Sequence, residues 1–110
     1  MIALIQRSDY VKTLMGVIPP ADFVDNLVMT PGVSQTVNVP SEATMVLMTA
    51  EMPYFVKYGP GPIAIPTANI EAGTGLDLNP TGRRLDVTAI TAISVVARIA
   101  GIVQLAFYNG

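Results

Sequence analysis

The stretch Val33–Tyr58, VSQTVNVPSEATMVLMTAEMPYFVKY, decides the fold class. Two runs, Val33–Val39 and Thr44–Ala50, flank the polar break Pro40-Ser41-Glu42-Ala43, and a third, Tyr54–Tyr58, follows Pro53. Valine, threonine and aromatic residues dominate these runs, and such side chains fit a pleated strand better than a helix. In the first run Val33, Gln35, Val37 and Val39 alternate with Ser34, Thr36 and Asn38, the pattern of a strand with one face buried. The second run has no polar face: Met45 and Leu47 point one way, Val46 and Met48 the other. A strand that is apolar on both sides lies between layers or under a partner.

Outward from this stretch the same punctuation continues. Phe23–Thr30 reads as a strand centred on Leu27-Val28-Met29, closed by the turn pair Pro31-Gly32. Gly59-Pro60-Gly61-Pro62 is a stiff turn whose prolines cannot donate ladder bonds, and Ile63-Ala64-Ile65 predicts a short strand stopped by Pro66. Thr67–Leu85 reads as a long loop, and loops of that length need tying down. Short strand pieces near Asn69–Glu71 and Leu76–Leu78 are expected to do so. The end of the chain predicts a hairpin. Ile93, Val95, Ala97 and Ile99 share one face, and after the Ala100-Gly101 turn Val103, Leu105 and Phe107 continue the inward row. About eight short strands bounded by glycine and proline predict an all-β chain, a small antiparallel β-sandwich or jelly roll over residues 21–110.

Residues 1–20 differ in character. Leu4, Val11, Leu14, Met15 and Ile18 recur at three- and four-residue spacing. Ser8 is a candidate cap, Gly16 a candidate stop, and Pro19-Pro20 forbids continuation. The segment is an N-terminal arm or a short helix.

The 110 residues fit one domain, and 13% are charged against about 25% in an ordinary soluble domain, while 51% are hydrophobic. So small a domain has little interior, so part of this apolar material is expected to be covered by another subunit, including a homo-oligomer (dimer or trimer). A net charge of −2 and a pI near 4.7 argue against a nucleic-acid partner. Met1–Ile5 lacks the basic start and cleavage site of a signal peptide. The longest charge-free run, Asn26–Ser41, is broken by Pro31, Gly32 and Pro40, so no membrane span is expected. The expected place of synthesis is the cytoplasm.

The chemistry-bearing residue types are sparse. The chain has neither His nor Cys, which removes imidazole acid–base work, thiol nucleophiles and the usual zinc ligands. Ser8, Ser34, Ser41 and Ser94 lie outside any nucleophile-elbow motif, and Lys12 and Lys57 outside any phosphate-binding one. Glu71 and Asp77 with backbone carbonyls would suit a hard cation, but the spacing matches no metal loop, and solvating a loop or capping turns explains these carboxylates better. Arg83-Arg84 is the sole adjacent basic pair, read either as partners of Asp77 or Asp86 or as a contact to an acidic partner. Tyr54, Phe55 and Tyr58 suit core packing more than a sugar platform. The reading is therefore a non-enzyme without cofactor or metal. Its candidate partner-binding residues are Leu14, Met15, Ile18, Met45, Met48, Arg83 and Arg84.

Three stretches together carry a resemblance. SQTVNVPSEATMVLMTA (34–50) looks like the strand, "VPS" turn and strand of compact phage-head jelly rolls. GTGLDLNPTGRRL (73–85) and ITAISVVARIAGIVQLAFYNG (90–110) look like their loop and closing hairpin. Over roughly Leu27–Tyr108 the chain resembles the capsid decoration, or cement, proteins of short-tailed bacteriophages of the epsilon-fifteen type. The resemblance implies a β-sandwich on the outer capsid surface of the virion, bound to the major capsid protein and bridging its subunits. The alternative is a carbohydrate- or receptor-binding β-sandwich module of a phage tail or fibre.

Overall fold

A computed structural model describes residues 18–86 and 88–109. They form eight strands: β1 (Phe23–Met29), β2 (Gln35–Asn38), β3 (Met45–Ala50), β4 (Tyr54–Lys57), β5 (Asp77–Leu78), β6 (Gly82–Arg84), β7 (Ala92–Ala97) and β8 (Gly101–Tyr108). Two antiparallel four-stranded sheets result, in the orders β1-β8-β3-β6 and β2-β7-β4-β5. Every chain connection except β4–β5 crosses from one sheet to the other, which winds the sandwich as a jelly roll. The all-β expectation and the β-sandwich hold over the described residues. The predicted arm or helix over 1–20 falls outside them except for Ile18, Pro19 and Pro20, which are not in regular structure.

The turns follow their residues. At Thr30-Pro31-Gly32-Val33 the Val33 amide donates to the Thr30 carbonyl at 3.0 Å, with Pro31 and then Gly32 at φ +74° in the middle. That is a type II turn, which needs a left-handed residue after proline. Pro40–Ala43 closes likewise, the Ala43 amide donating to Pro40 at 3.0 Å.

The core lies between the sheets. Val46, Met48, Leu105, Phe107 and Val103 come from the first sheet and Val56, Ile93 and Val95 from the second, all fully or almost fully buried. The alternation of β3 places Val46 and Met48 here, while Met45 and Leu47 turn to the opposite side.

Three sequence expectations need correcting. β7 and β8 are not a hairpin: they belong to different sheets, and the connection at 98–100 spans the sandwich. The inward row Val95, Ala97, Val103, Leu105 and Phe107 is nonetheless buried, because the two strands face each other across the core; Ile99, beyond the end of β7, is exposed. Ile63–Ile65 is not a strand and neither is Asn69–Glu71. The backbone around Gly61 instead crosses the outer side of the second sheet. Ser94, fully buried on that side, donates to the Gly59 carbonyl at 2.8 Å, and the Ile63 amide donates to Ser34 Oγ at 3.2 Å. Since Ser94 has one proton and gives it to Gly59, Thr36 Oγ1 is the donor in its 2.9 Å contact with Ser94 Oγ. Lastly, Arg83 and Arg84 lie in strand β6 rather than in a loop, held by pairing with Val46 and Met45.

Candidate functional site: the bare face of the first sheet

The two outer faces of the sandwich differ. The second sheet is covered in its middle by its own 59–63 segment. The first sheet has side chains open to water across β1, β8 and β3, arranged by register into rows. Leu47, Ala106 and Val24 form one apolar row, with Gly82 at its β6 end. Thr49, Gln104 and Asn26 form a polar row, in which Gln104 Nε2 donates to Asn26 Oδ1 at 3.1 Å. Ile102 and Val28 form a second apolar row. Val28 is 71% exposed and Val24 and Ile102 are each 40% exposed, unusual for β-branched residues opposed in a ladder. The paired amides are neutral, so the three rows carry no charge.

Charges sit only at the ends. Glu51 borders Ile102 and accepts from its amide at 2.8 Å. Arg84, exposed, is in register with Met45 at the other end. A shallow cleft of about 430 Å³ runs along Asn26, Gln104, Thr49, Glu51 and Ile102. A second, also of about 430 Å³, adjoins it at Thr49–Glu51 and continues over Tyr54 and Pro80.

The residues expected to bind a partner are dispersed. Met45 is half-buried on this face, packed over Gly82, where an added Cβ would lie 3.6 Å from Met45 Cε. Ile18 is exposed, and the neighbouring Pro19 carbonyl accepts from the Tyr108 hydroxyl at 2.8 Å; Tyr108 is in register with Met45. Met48 is a correction: it is 2% exposed, on the core side of β3, and offers no surface. Arg83 also points to the core side, where it is engaged. Its Nε is 3.0 Å from Asp77 Oδ2 and its Nη2 3.3 Å from Asp77 Oδ1. Leu14 and Met15 lie outside the described residues. The face itself is made by Val24, Val28, Leu47 and Ile102. Its signal in the sequence is the alternation of FVDNLVM, which separates Val24, Asn26 and Val28 from Phe23, Asp25, Leu27 and Met29.

The pKa values of Asp77, Tyr58, Tyr54 and Asp86 are shifted by what surrounds them. Desolvation pushes the Asp77 carboxyl up, but hydrogen bonds from Tyr58 and Arg83 outweigh it and hold it below the usual carboxylate range. The Tyr58 phenol is driven well up by burial and by donating to Asp77 at 2.6 Å. Tyr54 is raised by burial, then by the charge of Asp77, and its hydroxyl donates to the Pro80 carbonyl. Asp86 is lowered by the Thr88 hydroxyl at 2.7 Å and amide at 3.0 Å, the bonds of a turn cap. Among the described residues no three acidic side chains gather as a metal site, and no helix there is long and apolar enough to cross a membrane. No family model, curated protein or solved structure matches the chain.

Proposed function

We propose that this protein is a capsid decoration, or cement, protein: a non-enzymatic β-sandwich that lies by the bare face of its first sheet on an assembled phage head and bridges neighbouring capsid subunits. The observation that carries the reading is that face, with Val24, Val28 and Ile102 open to water and Leu47 half-buried around a neutral amide row. Apolar surface left exposed in rows on a small domain marks a contact with another macromolecule. A face without charge desolvates cheaply, so shape and apolar area decide the fit. The jelly-roll winding is the architecture that the resemblance to decoration proteins implies. A molecule touching two shell subunits makes its second contact effectively intramolecular, so each contact can be weak. Binding only the assembled shell stabilises it by mass action.

The test mixes purified protein with undecorated heads and with free capsid subunits of the same phage, followed by sedimentation and heating of the heads. Binding to heads alone, with a rise in their rupture temperature, is expected. Equal binding to free subunits, or no rise, would overturn the reading. The Asn26–Gln104–Glu51 cleft favours a second reading, a glycan- or receptor-binding module, because amide and carboxylate groups are the natural partners of sugar hydroxyls. Glycan-array binding without head binding would select it.

A further inference from the structure

Among the described residues β1 is an outer strand of its sheet, and there its backbone leaves particular groups open. Ile102, opposite Val28, gives both backbone groups to Glu51 on its other side. The Glu51 amide donates to the Ile102 carbonyl at 3.1 Å, and the Ile102 amide donates to Glu51 Oε1 at 2.8 Å. Val28 and Ile102 are thus a non-hydrogen-bonded pair, and the Val28 amide and carbonyl point off the sheet. Alternation directs those of Asn26 and Val24 the same way. The Val28 carbonyl bears this out, accepting from Gln35 Nε2 at 2.6 Å and keeping a lone pair for a second donor.

The edge is complementary to itself. We propose that two copies of this chain pair antiparallel through β1, about a twofold axis at Asn26, into one continuous eight-stranded sheet. In that register Val24 lies opposite the partner's Val28, Asn26 opposite the partner's Asn26, and Phe23 opposite the partner's Met29. Val24, Asn26 and Val28 are the residues whose backbone groups point outward, so all three pairings are hydrogen-bonded ones. The rows of the bare face also join. Leu47, Ala106 and Val24 run on into the partner's Val28 and the partner's Ile102. The amides of Gln104 and Asn26 run on into the partner's Asn26 and the partner's Gln104. Val28, the most exposed large apolar side chain among the described residues, is covered. Moving the axis one residue toward the N-terminus would set the two Asp25 side chains directly against each other, which disfavours that register. Directly opposed residues of an antiparallel pair share a face, so both copies present their bare faces on the same side. This inference does not depend on what the face binds.

The test is sedimentation equilibrium of the pure protein over a concentration series, with circular dichroism as the check on folding. A monomer–dimer equilibrium of the 11.6 kDa chain is expected. Val24→Lys with Val28→Lys sets like charges opposite each other twice in the dimer and should weaken association about tenfold or more. Val24→Glu with Val28→Lys sets opposite charges there instead and should recover most of that loss. Positions 24 and 28 are too far apart along one extended strand to pair within a chain. Three results would overturn the proposal: a monomer at every concentration, the inward Asp25 then serving to keep the edge open; a trimer; or equal loss in both double variants.

Discussion

Arg83 and Asp77, 3.0 Å apart, tie the outer strand of one sheet to the outer strand of the other: Arg83 is in β6, Asp77 in β5, and the two strands share no ladder. Both side chains come off the core side of their strands, so the ion pair closes the open flank of the sandwich, with the Tyr58 hydroxyl as a third member. Asp77 has its pKa lowered in the folded state. A carboxyl depressed by folding contributes stability that is complete above its unfolded value, near 3.8, and is lost as pH falls through the lower folded value. Asp77→Asn should therefore cost about 1–2 kcal/mol near neutral pH, the Arg83 contribution being reduced by its exposure. The difference in melting temperature between parent and variant should shrink as pH falls below about 4. A gap that stays constant into acid would show that Asp77 acts by shape alone.

Phe107 and Leu105 are the centre of the core, both fully buried, with Val46 and Met48 beside them in register. Either residue changed to alanine removes buried methylenes and leaves a cavity between two sheets that cannot collapse independently. The expected loss is about 2–5 kcal/mol in urea unfolding. A variant with the midpoint of the parent would contradict the placement of these side chains between the sheets.

The same residues show what was legible in the sequence. Alternation identified the inward row of β8 and the two apolar faces of β3, because a period of two follows from the pleat whatever sheet a strand joins. It could not say that Val95 and Leu105 come to the core from opposite sheets rather than along one ladder. A short Gly-containing connection serves a hairpin and a sheet-to-sheet crossing equally well, and the choice depends on which strands arrive later in space. β6 was hidden because glycine and two arginines have weak strand preference; pairing with Met45–Leu47 overrides it. Ile63–Ile65 misled in the opposite sense. Its β-branched residues belong to a segment that lies across the outside of a sheet, held through Ser94 and Ser34 rather than by a ladder. Of the site, Met45 and Leu47 were legible as a surplus apolar face. Val28 and Ile102 were not, since single valines and isoleucines on strands normally signal interior.

Gly61 tests that crossing segment. A Cβ there would lie 2.8 Å from Thr36 Oγ1 and 3.0 Å from Ser94 Oγ, closer than ordinary contact, and Ser94 is fully buried and doubly hydrogen-bonded. Gly61→Ala should cost about 1–3 kcal/mol, because the segment must lift or the Thr36–Ser94 contact must break. Gly59→Ala is the comparison, since an added Cβ there meets only Lys57 Cε at 3.7 Å. Thermal melts in which the two variants fall equally would show that the segment does not rest on the sheet.

The bare face makes the prediction that separates docking from stability. Ile102 is 40% exposed, and its structural bonds are made by backbone atoms to Glu51, which a new side chain leaves in place. Ile102→Lys should therefore change stability by no more than about 0.5 kcal/mol. On the shell, the same lysine would be carried into an apolar contact without a partner. Burying an unpaired ammonium costs several kcal/mol, so binding to undecorated heads should fall by about a hundredfold or more. Asn38→Lys is the matched control. Asn38 is exposed and in register with Ala92, on the outer side of the second sheet, and a charge added there leaves the bare face unchanged. Co-sedimentation with heads should retain Asn38→Lys and lose Ile102→Lys, with both variants melting like the parent. The reverse pattern would place the docking surface on the second sheet, and retention of both would remove either face from the contact.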